Sequence, residues 1–354
     1  MARRVGVCGH RWPVSVPTRP ASSQVGFTIG LLEAGPLGGL AAWTGFTLPS
    51  ALLMFAFAYG HTQFSGRLEL GVLHGLKLVA VAVVAQAAFG MMRTLAPDRT
   101  RGAIVALSAG IVLLSAQASS QIIAIAAGAP IGLFLCRDAG APTPHHLAVS
   151  VSRAAALASL IIFTLLLFIP PILLAFAPHQ SIRLFQAFYR TGALVFGGGH
   201  VVLPLLQSAT VTPGWIDNDT FLAGYGAAQA LPGPLFTFAA YLGASLRPEP
   251  HGAVGAIIAL LAIFLPGLLL IVGVLPFWNR LRATITTRAA LAGVNAGVVG
   301  VLLAALYHPV WTGTVHKPSD FTIVLAGYLA LTAWEAPPVV CAIAAIGAAS
   351  TLLT

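Results

Sequence analysis

Charge is what this chain has least of, and negative charge above all: its 354 residues include only nine Asp and Glu against 18 Lys and Arg, and charged residues make up 8% of the total. Soluble globular proteins carry about 25%. So little charge cannot solvate a folded surface, which excludes a sizeable soluble domain. A membrane-embedded enzyme would need paired intramembrane acids or a nucleophile with its base. The few carboxylates lie mostly in loops and no apolar run holds a pair, so the sequence argues against an enzyme. Cysteine is also scarce: Cys8, Cys136 and Cys341 are far apart and lack any CxxC or metal-ligand spacing. The adjacent His145 and His146 stand too far from carboxylates or thiols to suggest a metal site. Residues 1–19 hold four arginines but no apolar core of about 7–15 residues, so they read as a tail and not as a secretory signal.

What is present is apolar. Hydrophobic residues make up 58% of the chain and the mean hydropathy is +0.91. Runs long enough for spans of about 20 residues recur throughout, so the expected fold class is all-α, a polytopic helical membrane protein. The net charge of +9 comes from Lys and Arg scattered over short loops, the pattern that orients spans and not one that binds nucleic acid. Trp215, Trp278 and Trp311 fall near predicted span ends, as in an interfacial belt.

Along the chain, a short helix is expected from Ala21 to about Leu32 and spans over Gly38–Tyr59, with a kink at Pro49, and Gly71–Met92. Gly102–Leu135 is too long for one span and splits near Ala118 and Ser120. A polar connector, Cys136–His146, separates an N-terminal half (20–141) from a C-terminal half (142–354). Further spans follow over Leu147–Ala175, to about Trp278 with a kink at Pro266, and over Ala289–Leu306, before two short helices split at Pro337 and Pro338.

Two breaks interrupt the second half: FGGGHVVLP from Phe196 and QALPGPLFTFAAYLG from Gln229. Three glycines or Pro-Gly-Pro cannot continue a helix, and irregular backbone at membrane depth survives only where protein or a watery cavity satisfies it. The half-helix after such a break presents free N–H groups and a positive dipole end, which favours an anion. Ordinary kinks between spans are the alternative.

The halves also match each other. Pro20 aligns with Pro234, Pro49 with Pro266, Gly75 with Gly293 and Ile104 with Ile323. Matched loops carry opposite charge: Arg93, Arg99 and Arg101 follow one span in the first copy, whereas in the second copy Arg280, Arg282 and Arg288 precede the equivalent span. Because basic loops stay cytoplasmic, the two homologous halves are expected to form an inverted repeat with broken half-helices. Arg99 and Arg282 should then face the cytoplasm, and His61 and His316 the other side.

FGGGHVVLPLL, GYGAAQALPGPLFTFAAYLGA and FLPG, in this order, resemble the chromate ion transporter family, whose two homologous halves each open with an FGG-type motif followed by Pro-Gly-Pro. The resemblance runs from about residue 20 to the C-terminus. It implies a multi-pass carrier of chromate, and of the isosteric sulfate, in the bacterial inner membrane, with efflux conferring chromate resistance. A carrier of another oxyanion and a non-transporting remnant are the rival readings. The remnant enters because the segment before Ala21-Ser22-Ser23-Gln24 does not match, leaving the first half without its FGG-type motif. The resemblance implies as substrate-binding candidates Gly197, Gly198, Gly199 and His200 at the first break, with Gln229, Pro232, Gly233 and Pro234 at the second. Gln24 is the first-copy donor. Lys77, deep in an apolar span, and its repeat partner Asn295 are added as intramembrane polar groups, with Arg190 as a nearby cation. Glu33 or Glu335 is the expected ion partner if Lys77 is structural. The expected partners are the chromate or sulfate oxyanion and the lipid bilayer, with a homodimer as the assembly considered; no cofactor or metal is implied.

Overall fold

The computed structural model describes residues 22–60, 67–115, 120–136, 151–195, 202–278, 281 and 284–352. The expectations for residues 1–19, Pro20, His61, the loop at 137–150, Gly197, Gly198, Gly199, His200 and Arg282 fall outside these ranges. Among the described residues there are thirteen α-helices and no strand. They are α1 (Ser22–Gly60), α2 (Arg67–Leu95), α3 (Arg99–Leu114), α4 (Ser120–Leu135), α5 (Arg153–Phe176), α6 (Gln180–Leu194), α7 (Val202–Thr210), α8 (Asn218–Ala230), α9 (Phe238–Ala244), α10 (Gly252–Val274), α11 (Ile285–Ala305), α12 (Pro318–Thr332) and α13 (Pro338–Leu352).

Five segments are long and apolar enough to cross a bilayer: Ser23–Gly60, Gly71–Leu95, Arg153–Phe176, Gly252–Phe277 and Ile285–Trp311. On α5 only Ala156 and Pro170 are buried, and Leu114 and Phe176 are 92% and 84% exposed. Apolar surface of this extent fits lipid and not water, so the chain is a multi-pass membrane protein. The helices α3, α4, α12 and α13 have only 15 or 16 residues, about 24 Å each at 1.5 Å per residue. That is short of the roughly 30 Å hydrocarbon core.

The breaks lie where glycine and proline place them. α1 is interrupted at Ala34 and Gly35, the latter at φ +72°, a backbone region open to glycine at little cost. Its first limb folds back on the second, so closely that a Cβ on Gly38 would stand 2.6 Å from the Gly30 carbonyl oxygen. In the second half α9 folds back on α10 at Gly243 and Gly255 in the same way.

Contacts set the direction of each helix. Arg101 and Asp98 at the start of α3 act on Cys136 at the end of α4, and Gly132 of α4 abuts Ala289 of α11. The end of α2, the start of α3, the end of α4 and the start of α11 therefore share one end of the molecule, called here the basic end for Arg93, Arg99, Arg101 and Arg288. α2 runs towards it and α11 away from it. At the far end Lys77 pairs with Asp219 at 2.9 Å, Arg247 with Asp217 at 3.7 Å, and α10 begins. Asp217 caps α8 there by accepting the Thr220 N–H at 2.8 Å.

α5 starts near the basic end, where its Ala156 and Leu160 meet Gly273 of α10, and reaches the far end. α6 then turns inward until Gly192 meets Ile263 and Pro266 in the middle of α10, and α7 returns. α8 and α9 repeat the excursion. α6 and α8 thus both run from the far end to mid-depth, and the tip between α8 and α9 falls at the Pro-Gly-Pro break.

The halves are packed by exchange. Gly75 of α2 sits on Ile346 of α13, and Gly293 of α11 on Gly128 of α4; moving Gly75 on by 218 positions gives Gly293, and the same step takes Gly128 to Ile346. The step also converts the contact of Gly71 with Ser350 into that of Ala289 with Gly132. Each half's long helix packs against the other half's terminal hairpin.

Candidate functional site

The tip of the α8/α9 hairpin is built by Leu231-Pro232-Gly233-Pro234. Gly233 adopts φ +134°, and a Cβ there would stand 2.5 Å from the Ser50 side chain on the second limb of α1. The Thr237 hydroxyl donates to the Pro234 carbonyl at 2.8 Å. Ser50 Oγ lies 3.0 Å from Thr237 Oγ1, so with the Thr237 proton committed the Ser50 hydroxyl is the donor between them. Phe236, one turn on, packs edge-on against Phe264 of α10, which also meets the Trp43 indole at 5.4 Å. On the other side of the same interface Gln24 Nε2 covers Gly267, immediately after Pro266. The Pro-Gly-Pro tip therefore rests on α1 at Ser50, and the start of α1 rests on α10 at Gly267.

Of the expected site residues, the fold brings Gly233, Pro234 and Gln24 to this junction. Gln229 is buried at 7% exposure, but its side chain bonds the Tyr225 hydroxyl one turn earlier on α8. Pro232 is exposed. Trp43, Thr47 and Ser50 are spaced i, i+4, i+7 and so share one face of α1.

Arg190 lines a cavity of about 450 Å³ between α6, α7 and the ends of α4 and α5, together with Arg183, Gln186, Thr191, Ser208 and Trp215. Arg183, Gln186 and Arg190 fall at i, i+3, i+7 on α6 and form one stripe. Arg190 is ten residues into the inward-running helix, about 15 Å from its mouth. Neither arginine has a carboxylate within ion-pair distance among the described residues. An unpaired guanidinium at such depth is expensive in lipid. Arg183 was not foreseen, because its depth depends on α6 being re-entrant.

Lys77 lies elsewhere. Its Nζ pairs with Asp219 Oδ1 at 2.9 Å, and not with Glu33 or Glu335 as expected for a structural lysine. Beside it His74 Nε2 and Asp320 Oδ1 are 2.9 Å apart, and Asp320 also accepts the His316 and Lys317 N–H groups at 3.1 Å. These residues line a second cavity of about 300 Å³ that shares no wall with the arginine groove. Asn295, the repeat partner of Lys77, is half-buried on α11. At the far-end turn, partial burial raises the Asp217 carboxyl, but the Thr220 N–H and hydroxyl and the Arg247 charge bring it below the usual carboxylate value. It stays ionised at neutral pH and holds the start of α8.

The family model for chromate transporters matches this chain over residues 17–133 and 182–350. The chromate transport protein of Pseudomonas aeruginosa is 28% identical over 328 residues, covering 89% of this chain and 75% of that protein. The probable chromate transport protein of Synechococcus elongatus is 24% identical over 290 residues, 81% of this chain and 70% of that protein. An uncharacterized transporter of Bacillus subtilis, YwrB, is 41% identical over 130 residues, 36% of this chain and 64% of that protein. No solved structure matches. One matched block takes in the Gln24 segment and the span with Pro49, the other the Pro-Gly-Pro segment and the span with Pro266, and together they cover most of the sequence: the chain belongs to the chromate transporter family.

Proposed function

We propose that this protein carries chromate, and the isosteric sulfate, across the bacterial inner membrane, and that outward movement of chromate confers resistance. The observation that carries this reading is the pair of arginines, Arg183 and Arg190, that have no carboxylate partner among the described residues and lie on one stripe of a re-entrant helix lining a cavity of about 450 Å³. A guanidinium offers a fork of donors matched to oxyanions, and charge-assisted bonds of this kind are about twice as strong as neutral ones. Everted vesicles containing the protein should accumulate chromate, and sulfate should compete. Arg190→Gln should slow uptake by about tenfold or more while membrane abundance holds, since a hydrogen bond to a charged group contributes about 1.5–3 kcal/mol. Uptake unchanged in that variant would remove the arginine groove from the path, and uptake that only molybdate or phosphate inhibits would replace chromate with another oxyanion.

The halves 20–141 and 142–354 are proposed to form an inverted repeat. The exchanged contacts of Gly75 with Ile346 and Gly293 with Gly128 support it, as do the opposite courses of α2 and α11. Alternating access would then come from rocking one half on the other about the junction at Ser50 and Gly267. Single cysteines placed at Arg99 and at His316 should react with an impermeant reagent from opposite faces of the membrane, Arg99 from the cytoplasmic one. Labelling of both from one face would rule the arrangement out.

A further inference from the structure

Two buried donors on α1 have nothing to donate to. Among the described residues, the Trp43 indole Nε1 and the Thr47 hydroxyl are shielded from solvent without a hydrogen-bond partner, and Thr47 is only 1% exposed. A threonine inside a helix ordinarily satisfies itself by donating to the carbonyl four residues back. Thr28, Thr164, Thr191 and Thr332 all do so here. Thr47 does not.

The position of the pair is as informative as the absence of partners. Trp43 and Thr47 are one turn apart on the face of α1 that continues to Ser50. That face is turned to the other half: the Trp43 ring meets Phe264, and Ser50 reaches Thr237 beside the Pro-Gly-Pro tip. Side chains one turn apart have Cβ atoms about 5–6 Å from each other, within reach of two oxygens of one tetrahedral ion. An indole N–H can only donate, so the missing partner is an acceptor. Both donors are neutral, which suits an ion that must bind without its water and then leave.

We propose that the Trp43 N–H and the Thr47 hydroxyl are hydrogen-bond donors to the transported tetrahedral oxyanion, at an inner station between the halves. This rests on the oxyanion reading above and adds to it residues that select the ion by donors alone. The unliganded protein bears the cost of leaving the two groups unpaired, and the anion relieves it.

That cost supplies the test, because a donor kept for a ligand and a donor kept for structure respond oppositely to removal. Thr47→Val keeps the shape and deletes the hydroxyl, Thr47→Ser restores it, and Trp43→Phe deletes the N–H. Chromate and sulfate uptake in everted vesicles should show KM raised about tenfold in Thr47→Val and in Trp43→Phe, with Thr47→Ser close to the parent. The melting temperature of the ligand-free Thr47→Val protein should equal or exceed that of the parent, and the rise in melting temperature on adding the anion should shrink. A lower ligand-free melting temperature with unchanged KM would make Thr47 a structural residue and overturn the proposal. So would an undiminished anion-induced rise. If the parent moves no chromate but sulfate or molybdate raises its melting temperature and Thr47→Val abolishes the rise, the station stands and the chromate reading falls. If no tetrahedral oxyanion changes the parent's melting temperature, the station falls.

Discussion

Replacing Gly293 with leucine is expected to prevent the two halves from docking. Gly293 on α11 faces Gly128 and Gly132 on α4, and Gly297 faces Ala124 and Ile125; a Cβ on Gly293 would collide with the Gly128 carbonyl oxygen and stand 2.6 Å from the Gly132 Cα. The atoms in the way are backbone and cannot turn aside. Lipid gives helices no hydrophobic reason to associate, so such a seam depends on close packing of small residues. Spreading the helices would forfeit the whole contact, a loss of about 4 kcal/mol or more, in the range reserved for core disruption. The variant should reach the membrane but melt far below the parent and elute heterogeneously after extraction. Gly90→Leu is the matched control, since nothing lies within 4 Å of a Cβ there. Equal melting temperatures for the two leucine variants would show that the α4/α11 seam does not hold the halves together.

Gly233→Ala is expected to abolish transport with less effect on assembly. Any side chain at φ +134° is strained by about 1–3 kcal/mol, and here the new methyl would also press on Ser50 from 2.5 Å. Overpacking adds about another 1–3 kcal/mol. Relief would come from moving the Pro-Gly-Pro tip away from α1, which breaks the run from Ser50 through Thr237 to the Pro234 carbonyl. Chromate accumulation in cells, normalised to membrane abundance, should fall to that of cells lacking the protein. The double variant Gly233→Ala/Ser50→Gly should regain only part of it, because removing Ser50 clears the space but leaves the backbone strain. Normal transport by Gly233→Ala would make the tip a passive turn.

The breaks were legible because breakers act locally. Pro337 and Pro338 separate α12 from α13, and the interruption between α3 and α4 falls next to Ser120, as expected from length and composition. The glycine run starting at Gly197, also read as a break, lies outside the described residues. What escaped the sequence depends on which helix meets which. Lys77 was read as an intramembrane charge, yet its neighbour is Asp219, 142 residues away. Arg183 was not singled out, because only the fold places it near the mouth of the re-entrant α6. The spacing Gly128-x-x-x-Gly132 and Gly293-x-x-x-Gly297 could have been read as a pair of close-packing stripes, but not as partners of each other. Trp43 and Thr47 carry no signal of their own in an apolar run; their lack of partners exists only in three dimensions.

The exchange of terminal hairpins between halves also fixes an order of events in time. α4 ends at Leu135 and its partner α11 begins at Ile285, so roughly 150 residues separate the synthesis of the two sides of one seam. At about 5–20 residues per second, the Gly128 stripe waits on the order of ten seconds, and that of Gly71 and Gly75 longer still, until α13 is made. Lipid tolerates the delay, because a bare glycine stripe exposes no unpaired backbone group while its own helix is intact. The Gly128 seam can therefore close once α11 has been made, whereas the seam of Gly71 and Gly75 can close only at the end of translation, after α13.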